Sequence, residues 1–179
     1  TKWFRQNSLS IETSQAFNKH IKTYTKEGFK KSSLDKELLG KIKEFYKNNK
    51  DRMKDEFVSG NFIHSSLKEV PSTLLELNDD LKKEIHESLK KPLETWSGSS
   101  LTPTFVYGIR DYKKGAVLVP HRDRENTHII SAIINVDKDL DEDWPLMIED
   151  HFYRKHHVYL EPGEVVFYES ARLLHGRPK

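Results

Sequence analysis

The chain has 179 residues, 30 of them Lys or Arg and 28 Asp or Glu, so its formal charge at neutral pH is only +2. The two signs are interspersed, which argues against the concentrated basic face of a nucleic-acid binder. Cysteine is absent, excluding a disulfide framework, thiol chemistry and Cys-based zinc sites, and no apolar run approaches the roughly 20 residues of a membrane span.

In chain order, the first helical candidate is Ile11 to Tyr24. Leu34, Leu38, Leu39, Ile42, Phe45 and Tyr46 then recur at helical spacing in a Lys- and Glu-rich background and predict an amphipathic helix with one buried stripe. Val58 to Leu67, with Gly60 and several serines, reads as a loop. Leu74, Leu77, Leu81, Ile85 and Leu89 repeat the helical pattern, with Pro71-Ser72 as a start signal and Lys90-Lys91-Pro92 as a stop. Helices ahead of strands pack most simply on one outer face of a sheet, which would otherwise expose apolar side chains.

The second half changes character. Thr104 to Tyr112 is β-branched and aromatic; a turn at Lys113-Lys114-Gly115 and a short apolar run from Ala116 to Val119 complete a predicted hairpin that delivers His121. Ile129 to Val136 is a continuous apolar run short enough for a strand buried on both faces. His157 to Leu160, the turn Glu161-Pro162-Gly163-Glu164 and Val165 to Tyr168 predict a second hairpin, with His175 just beyond it. Short strands at regular spacing with Gly and Pro turns indicate a sandwich or barrel.

His121-Arg122-Asp123 and the later His175 carry the chemistry. Two imidazoles and one carboxylate can hold a divalent iron through one face and leave the other open, the arrangement of non-haem iron oxygenases. The first and third residues of an H-x-D step point the same way on extended backbone, so both can reach one ion. Plainer readings exist: a solvated turn after Pro120 for the first pair, and a loop histidine before Gly176-Arg177-Pro178 for His175. The flanking strands favour the metal reading. His128 is expected to be a hydrogen-bonding or surface residue, and His151, His156 and His157 structural, because neighbours on a strand face opposite sides. His20, His64 and His86 have no partner at metal spacing. A rival cation site, Asp137, Asp139, Asp141 and Asp143, lacks the Gly and Glu positions of a calcium loop and reads as an acidic, solvated loop between strands, with Trp144-Pro145 as lining for a substrate entrance.

From Tyr107 to Pro178 the chain resembles the prolyl 4-hydroxylase branch of the iron(II)- and 2-oxoglutarate-dependent dioxygenases. The resemblance rests on Tyr112, Gly115, Pro120-His121-Arg122-Asp123, Ile134-Asn135-Val136, Glu161-Pro162-Gly163-Glu164 before Phe167-Tyr168, and Leu174-His175-Gly176. It implies an α+β fold, with a double-stranded β-helix (jelly-roll) core and N-terminal supporting helices. His121, Asp123 and His175 are implied as catalytic iron ligands, and Tyr112 as the residue that hydrogen-bonds the distal carboxylate of 2-oxoglutarate. The implied cofactors are Fe(II) and 2-oxoglutarate as cosubstrate, with allowance for ascorbate. The implied substrate is a prolyl residue in a peptide or protein. Two departures stand out. Leu118 occupies a position where family members often carry a second aromatic. The family's basic partner of the far carboxylate comes from one of the last strands, which is expected to lie past Lys179. Arg177 and Lys179, the only basic residues after His175, are expected to sit too close to the metal for that role.

Residues 1–179 are thus expected to form a single catalytic domain, with 1–100 as mainly helical support and 101–179 as a jelly-roll core truncated at its C-terminus. Two other functions fit less well: a 2-oxoglutarate oxygenase with a different substrate, such as an alkylated nucleobase, and a non-catalytic metal- or peptide-binding jelly roll. The lack of cysteine leans toward a cytoplasmic location. The start at Thr1 leaves a preceding signal or anchor open, as is the oligomeric state.

Overall fold

Asp35 and Asn78 start the two long helices: their side chains accept hydrogen bonds from the amides of Leu38 and Leu81 at 3.0 and 2.8 Å, satisfying donors that a helix start leaves free. The computed structural model describes residues 11–179. Its helices are α1 (Ile11–Asn18), α2 (Lys36–Asn48) and α3 (Asp79–Ser97). The strands before residue 100 are β1 (Phe29–Ser33), β2 (Lys54–Glu56), β3 (Ile63–Ser65) and β4 (Ser72–Leu75). After it come β5 (Ile109–Tyr112), β6 (Ala116–His121), β7 (Ser131–Ile134), β8 (Leu146–Glu149), β9 (Lys155–Val158), β10 (Glu164–Tyr168) and β11 (His175–Arg177). No helix among the described residues is long and apolar enough to cross a membrane.

α2 follows its predicted stripe, whereas α3 departs from both expected ends. Ser72–Leu75 pairs with β2 and β5 as a strand, so the helix starts at the Asn78 cap rather than at Pro71-Ser72. It also runs through Pro92, because Trp96 beyond it still packs on Phe167 with ring centroids 5.9 Å apart. It stops at Gly98, whose φ of 67° is a left-handed cap that other residues adopt at a cost. The expected first helix ends at Asn18, and the expected loop at Val58 to Leu67 contains β3.

All strand pairs are antiparallel, in the orders β1-β10-β7, β3-β6-β11-β8-β9 and β2-β4-β5. Both expected hairpins are crossings between sheets. β5 pairs with β4 while β6 pairs with β3 and β11. Likewise β9 pairs with β8 while β10 pairs with β1 and β7. Turn residues set a reversal of direction but not which edge the returning chain joins, so turn signals alone could not tell a hairpin from a crossing.

Alternation splits the apolar residues between two cores. Leu146, Ile148 and Val158 of the five-stranded sheet meet Val166 and Tyr168 of β10, with Phe29 and Ile133 alongside. Val136, Ile134 and Ile109 face the other way, onto Leu38 and Ile42 of α2 and Leu81 and Ile85 of α3. Strands β7 and β10 therefore pack apolar side chains on both faces, as the run Ile129 to Val136 predicts. Each fully buried Leu or Ile contributes roughly 1.5–3 kcal/mol.

The chain ahead of β1 is tied to the loop before β11 through Glu169, which is 1% exposed. Its carboxylate accepts from the Tyr24 amide at 2.7 Å and the Thr25 hydroxyl at 2.6 Å, and pairs with His151 Nε2 at 2.6 Å. Burial by itself raises this carboxyl; the bonds from His151, Thr25 and Tyr24 outweigh it and hold it below its ordinary value. A lowered carboxyl contributes stability above its unfolded value of about 4.3, and the contribution is lost as pH falls through the folded value. Glu169→Gln is accordingly expected to lose about 1–3 kcal/mol at pH 7 and to show a shallower loss of stability in acid. Urea melts at pH 7 and pH 4 measure both, and an unchanged pH 7 midpoint contradicts the assignment.

Candidate metal centre

His121 ends β6 and His175 begins β11, and the two are cross-strand partners in register. Asp123 stands two residues past the end of β6, where its amide donates to Ser170 O at 2.9 Å. Ser170 in turn meets Ser131 Oγ at 2.6 Å and donates to His128 O at 2.7 Å, so the H-x-D turn is fixed from behind by buried hydroxyls. Arg122, between the two ligand candidates, turns to the opposite side. Its guanidinium donates to Arg172 O at 3.0 Å and to Ser14 Oγ of α1 at 2.9 Å.

The three candidate ligand atoms lie within 4.8 Å of one another, and among the described residues this is the one such group of three or more. Asp123 Oδ1 is 3.4 Å from His121 Nε2 and 3.6 Å from His175 Nε2. Each ring is held through its other nitrogen: His121 Nδ1 meets Val119 O at 2.9 Å and His175 Nδ1 meets Leu173 O at 2.8 Å. A carbonyl can only accept, so Nδ1 carries the proton on both neutral rings and each Nε2 lone pair is turned toward Asp123. Two lone pairs facing a carboxylate repel unless a cation lies between them, and backbone bonds of this kind orient metal-binding histidines. Bonds of about 2.0–2.2 Å to one ion place neighbouring donors about 3–3.5 Å apart, close to the Asp123 separations. The donor set fits a divalent transition metal.

Burial pushes the Asp123 carboxyl up; the imidazoles of His121 and His175, which donate to it from Nε2 when doubly protonated, outweigh that and hold the group well below the usual carboxylate range. The acid is therefore ionised and ready to bind a cation. Aromatic rings fix the imidazoles from the sides: Phe62 meets His121 edge-on at 5.5 Å, and buried Tyr168 meets His175 at 4.8 Å. These partners, together with Ser170 and Arg122, escaped sequence reasoning. They sit on elements distant in sequence, and their residue types carry no spacing signal.

The triad opens onto a cavity of about 1320 Å³, lined also by Arg110, Tyr112, Ile133, Trp144 and Arg177. Arg110 and Tyr112 face it because Ile109 and, through its bond to Tyr46, Asp111 face the helices. Trp144 packs edge-on against Tyr112 at 5.0 Å. Arg177 lies over both rings, 5.6 Å from the centroid of Tyr112 and 5.0 Å from that of Trp144.

Three of the other histidines take structural partners. His128 bonds the Tyr107 hydroxyl at 2.8 Å, His151 pairs with Glu169, and His156 pairs with buried Asp150 at 2.9 Å. The acidic loop does not converge on a point: Asp141 pairs with Lys114 at 2.6 Å, and Asp143 lies 3.9 Å from Lys138.

No family model matches the chain, and no curated protein matches it. Among solved structures it is similar to a prolyl-4-hydroxylase from Pseudomonas putida, with 11% identity and a TM-score of 0.58 over 94% of this chain and 91% of that one. AviO1 from Streptomyces viridochromogenes Tue57 aligns at 14% identity and a TM-score of 0.56, covering 96% and 89%. OsALKBH1 aligns at 11% identity and a TM-score of 0.53, covering 87% of each chain. At these identities the likeness is one of fold: mixed helices and antiparallel sheets.

Proposed function

We propose that this chain is an iron(II)- and 2-oxoglutarate-dependent dioxygenase with a jelly-roll core, and that it hydroxylates a prolyl residue in a peptide or protein. The observation that carries the reading is the convergence of His121 Nε2, His175 Nε2 and Asp123 Oδ1 on the wall of one cavity, with both imidazoles oriented by backbone carbonyls. In this reading the three residues hold iron. The bound metal and cosubstrate supply the oxidation: 2-oxoglutarate and dioxygen yield succinate and carbon dioxide, and one oxygen atom enters the substrate C–H bond. The protein's part is to orient donors, keep Asp123 ionised and place the target carbon. Tyr112 stands on the cavity wall, where its hydroxyl can serve the cosubstrate.

The rim of the cavity supports a peptide over a nucleic acid. Its lining carries both signs, with Asp137, Asp139 and Asp143 beside Lys50, Lys90, Arg124 and Lys138, rather than the one-signed basic groove that tracks a phosphate backbone. Phe105 and Tyr107 are 59% and 60% exposed, stack near-parallel with His128, and offer apolar ring faces suited to a pyrrolidine. The likeness of fold to a prolyl-4-hydroxylase points the same way.

The test is product analysis. Protein with iron(II) and 2-oxoglutarate is incubated with proline-containing peptides or with methylated oligonucleotides, and gain of one oxygen at a prolyl ring is expected from the peptides alone. Demethylation of the oligonucleotide without peptide oxidation contradicts the prolyl assignment. Tyr112→Phe is expected to weaken 2-oxoglutarate binding by roughly 1.5–3 kcal/mol, the range for one hydrogen bond to a charged group. Calorimetry showing unchanged affinity removes Tyr112 from the site.

A further inference from the structure

We propose that Arg177 anchors the distal carboxylate of the cosubstrate. The proposal rests on the 2-oxoglutarate reading above and assigns a residue that reading left open. Along β11, His175 and Arg177 point to the same face because side chains alternate, so the guanidinium enters the cavity that holds the triad. The pairing with β6 shifts register between them: His175 lies opposite His121, and Arg177 opposite Leu118. Two positions on extended backbone span about 6.6–6.8 Å. That spacing suits a ligand whose chelating end is on the metal and whose second carboxylate lies a few carbons away. The expectation that Arg177 sits too close to the metal ligand took no account of this reach along the strand.

Of the other guanidinium groups that line the cavity, Arg124 is exposed to solvent, and Arg110 and Arg122 are already engaged. Arg110 makes a two-pronged pair with Glu56, at 2.6 and 2.8 Å, and Glu56 is held in turn by Ser72 at 2.9 Å. Arg122 is committed to the outer side of the sheet. Arg177 is half-buried and meets the faces of Tyr112 and Trp144, and no ion pair joins it to a carboxylate among the described residues. Taking a cation out of water without a counter-ion is unfavourable, so the position is suited to an incoming anion. A guanidinium stacked on aromatic rings presents its remaining N–H groups as a fork, which matches a carboxylate in two bonds. The Trp144 indole N–H donates to Pro178 O and holds the backbone just after Arg177 in place.

The test separates the anchor from the metal and from the chelating end. Protein loaded with manganese(II), a redox-silent ion, is titrated calorimetrically with 2-oxoglutarate and with 2-oxobutyrate, which keeps the 2-oxo acid and lacks the second carboxylate. The native chain is expected to prefer 2-oxoglutarate by at least about tenfold. Arg177→Leu is expected to remove that preference while leaving the affinities for 2-oxobutyrate and manganese unchanged, and Arg177→Lys to restore part of it. A preference that survives in Arg177→Leu overturns the proposal, as does an equal loss for both acids, which is the mark of a merely structural role. If the native chain binds manganese but neither acid, the cosubstrate reading itself falls, and the anchor with it.

Discussion

Asp123→Ala is expected to lower affinity for divalent metal by more than about 100-fold, since changing even the partners behind metal ligands costs 10- to 100-fold. His121→Ala is expected to behave alike. The loss follows from geometry: Asp123 Oδ1 is the atom that both Nε2 positions face, at 3.4 and 3.6 Å, and the one negative charge of the group. Removing it leaves two neutral imidazoles to hold a dication. The fold should survive, because the contact that fixes this turn runs from the Asp123 backbone amide to Ser170 O and does not involve the carboxylate. Metal titration with circular dichroism on the same samples checks both halves. An Asp123→Ala protein that binds metal as the native chain does would remove Asp123 from the centre.

Gly176→Ala should be nearly as damaging, for a different reason. A Cβ at Gly176 would come within 2.6 Å of Leu118 O, 3.0 Å of Pro120 N and 3.1 Å of Pro120 Cα. All three atoms are backbone of β6, so none can swing aside, and β11 itself must move. The strands separated in this way carry His121 and His175 as direct partners. Overpacking of this kind costs about 1–3 kcal/mol, and a shift of about 1 Å at a reacting centre can cost on the order of 100-fold in rate. Thermal melts and metal titration read the two effects. Gly40→Ala is the control: nothing lies within 4 Å of its added methyl, and inside a helix the change should stabilise by about 0.5–1 kcal/mol. Native-like melting and metal binding by Gly176→Ala would contradict the steric account.

The legible parts of this chain were those in which one local rule decides. The spacing of Leu38 and Ile42 matched α2 because a buried stripe on a charged helix has no competing solution. The H-x-D step and the later histidine were visible as donors, and the structure brings all three together. The start of α3 was misplaced because Leu74 and Leu77 continue the helical spacing, while the pairing of Ser72–Leu75 with β2 and β5 is not a local property. The two apparent hairpins failed for the same reason, since partner choice between sheets is settled by distant strands. Arg177 is visible in the sequence as a base two residues past His175, but its place on the wall of the same cavity follows from strand alternation on β11 and not from that distance. Ser170, Phe62 and Tyr168 belong to the least legible class, since they act on the site only through tertiary contact.

In the proposed function, His121, Asp123 and His175 hold the iron at which dioxygen oxidises 2-oxoglutarate. Succinate formed from 2-oxoglutarate by metal-free protein, titrated with iron(II) in the presence of dioxygen, tests it most directly. Succinate should rise with iron, saturate near one ion per chain and be absent from Asp123→Ala protein treated in the same way. Succinate formation that is absent at saturating iron, or equal in the native and Asp123→Ala proteins, would contradict it.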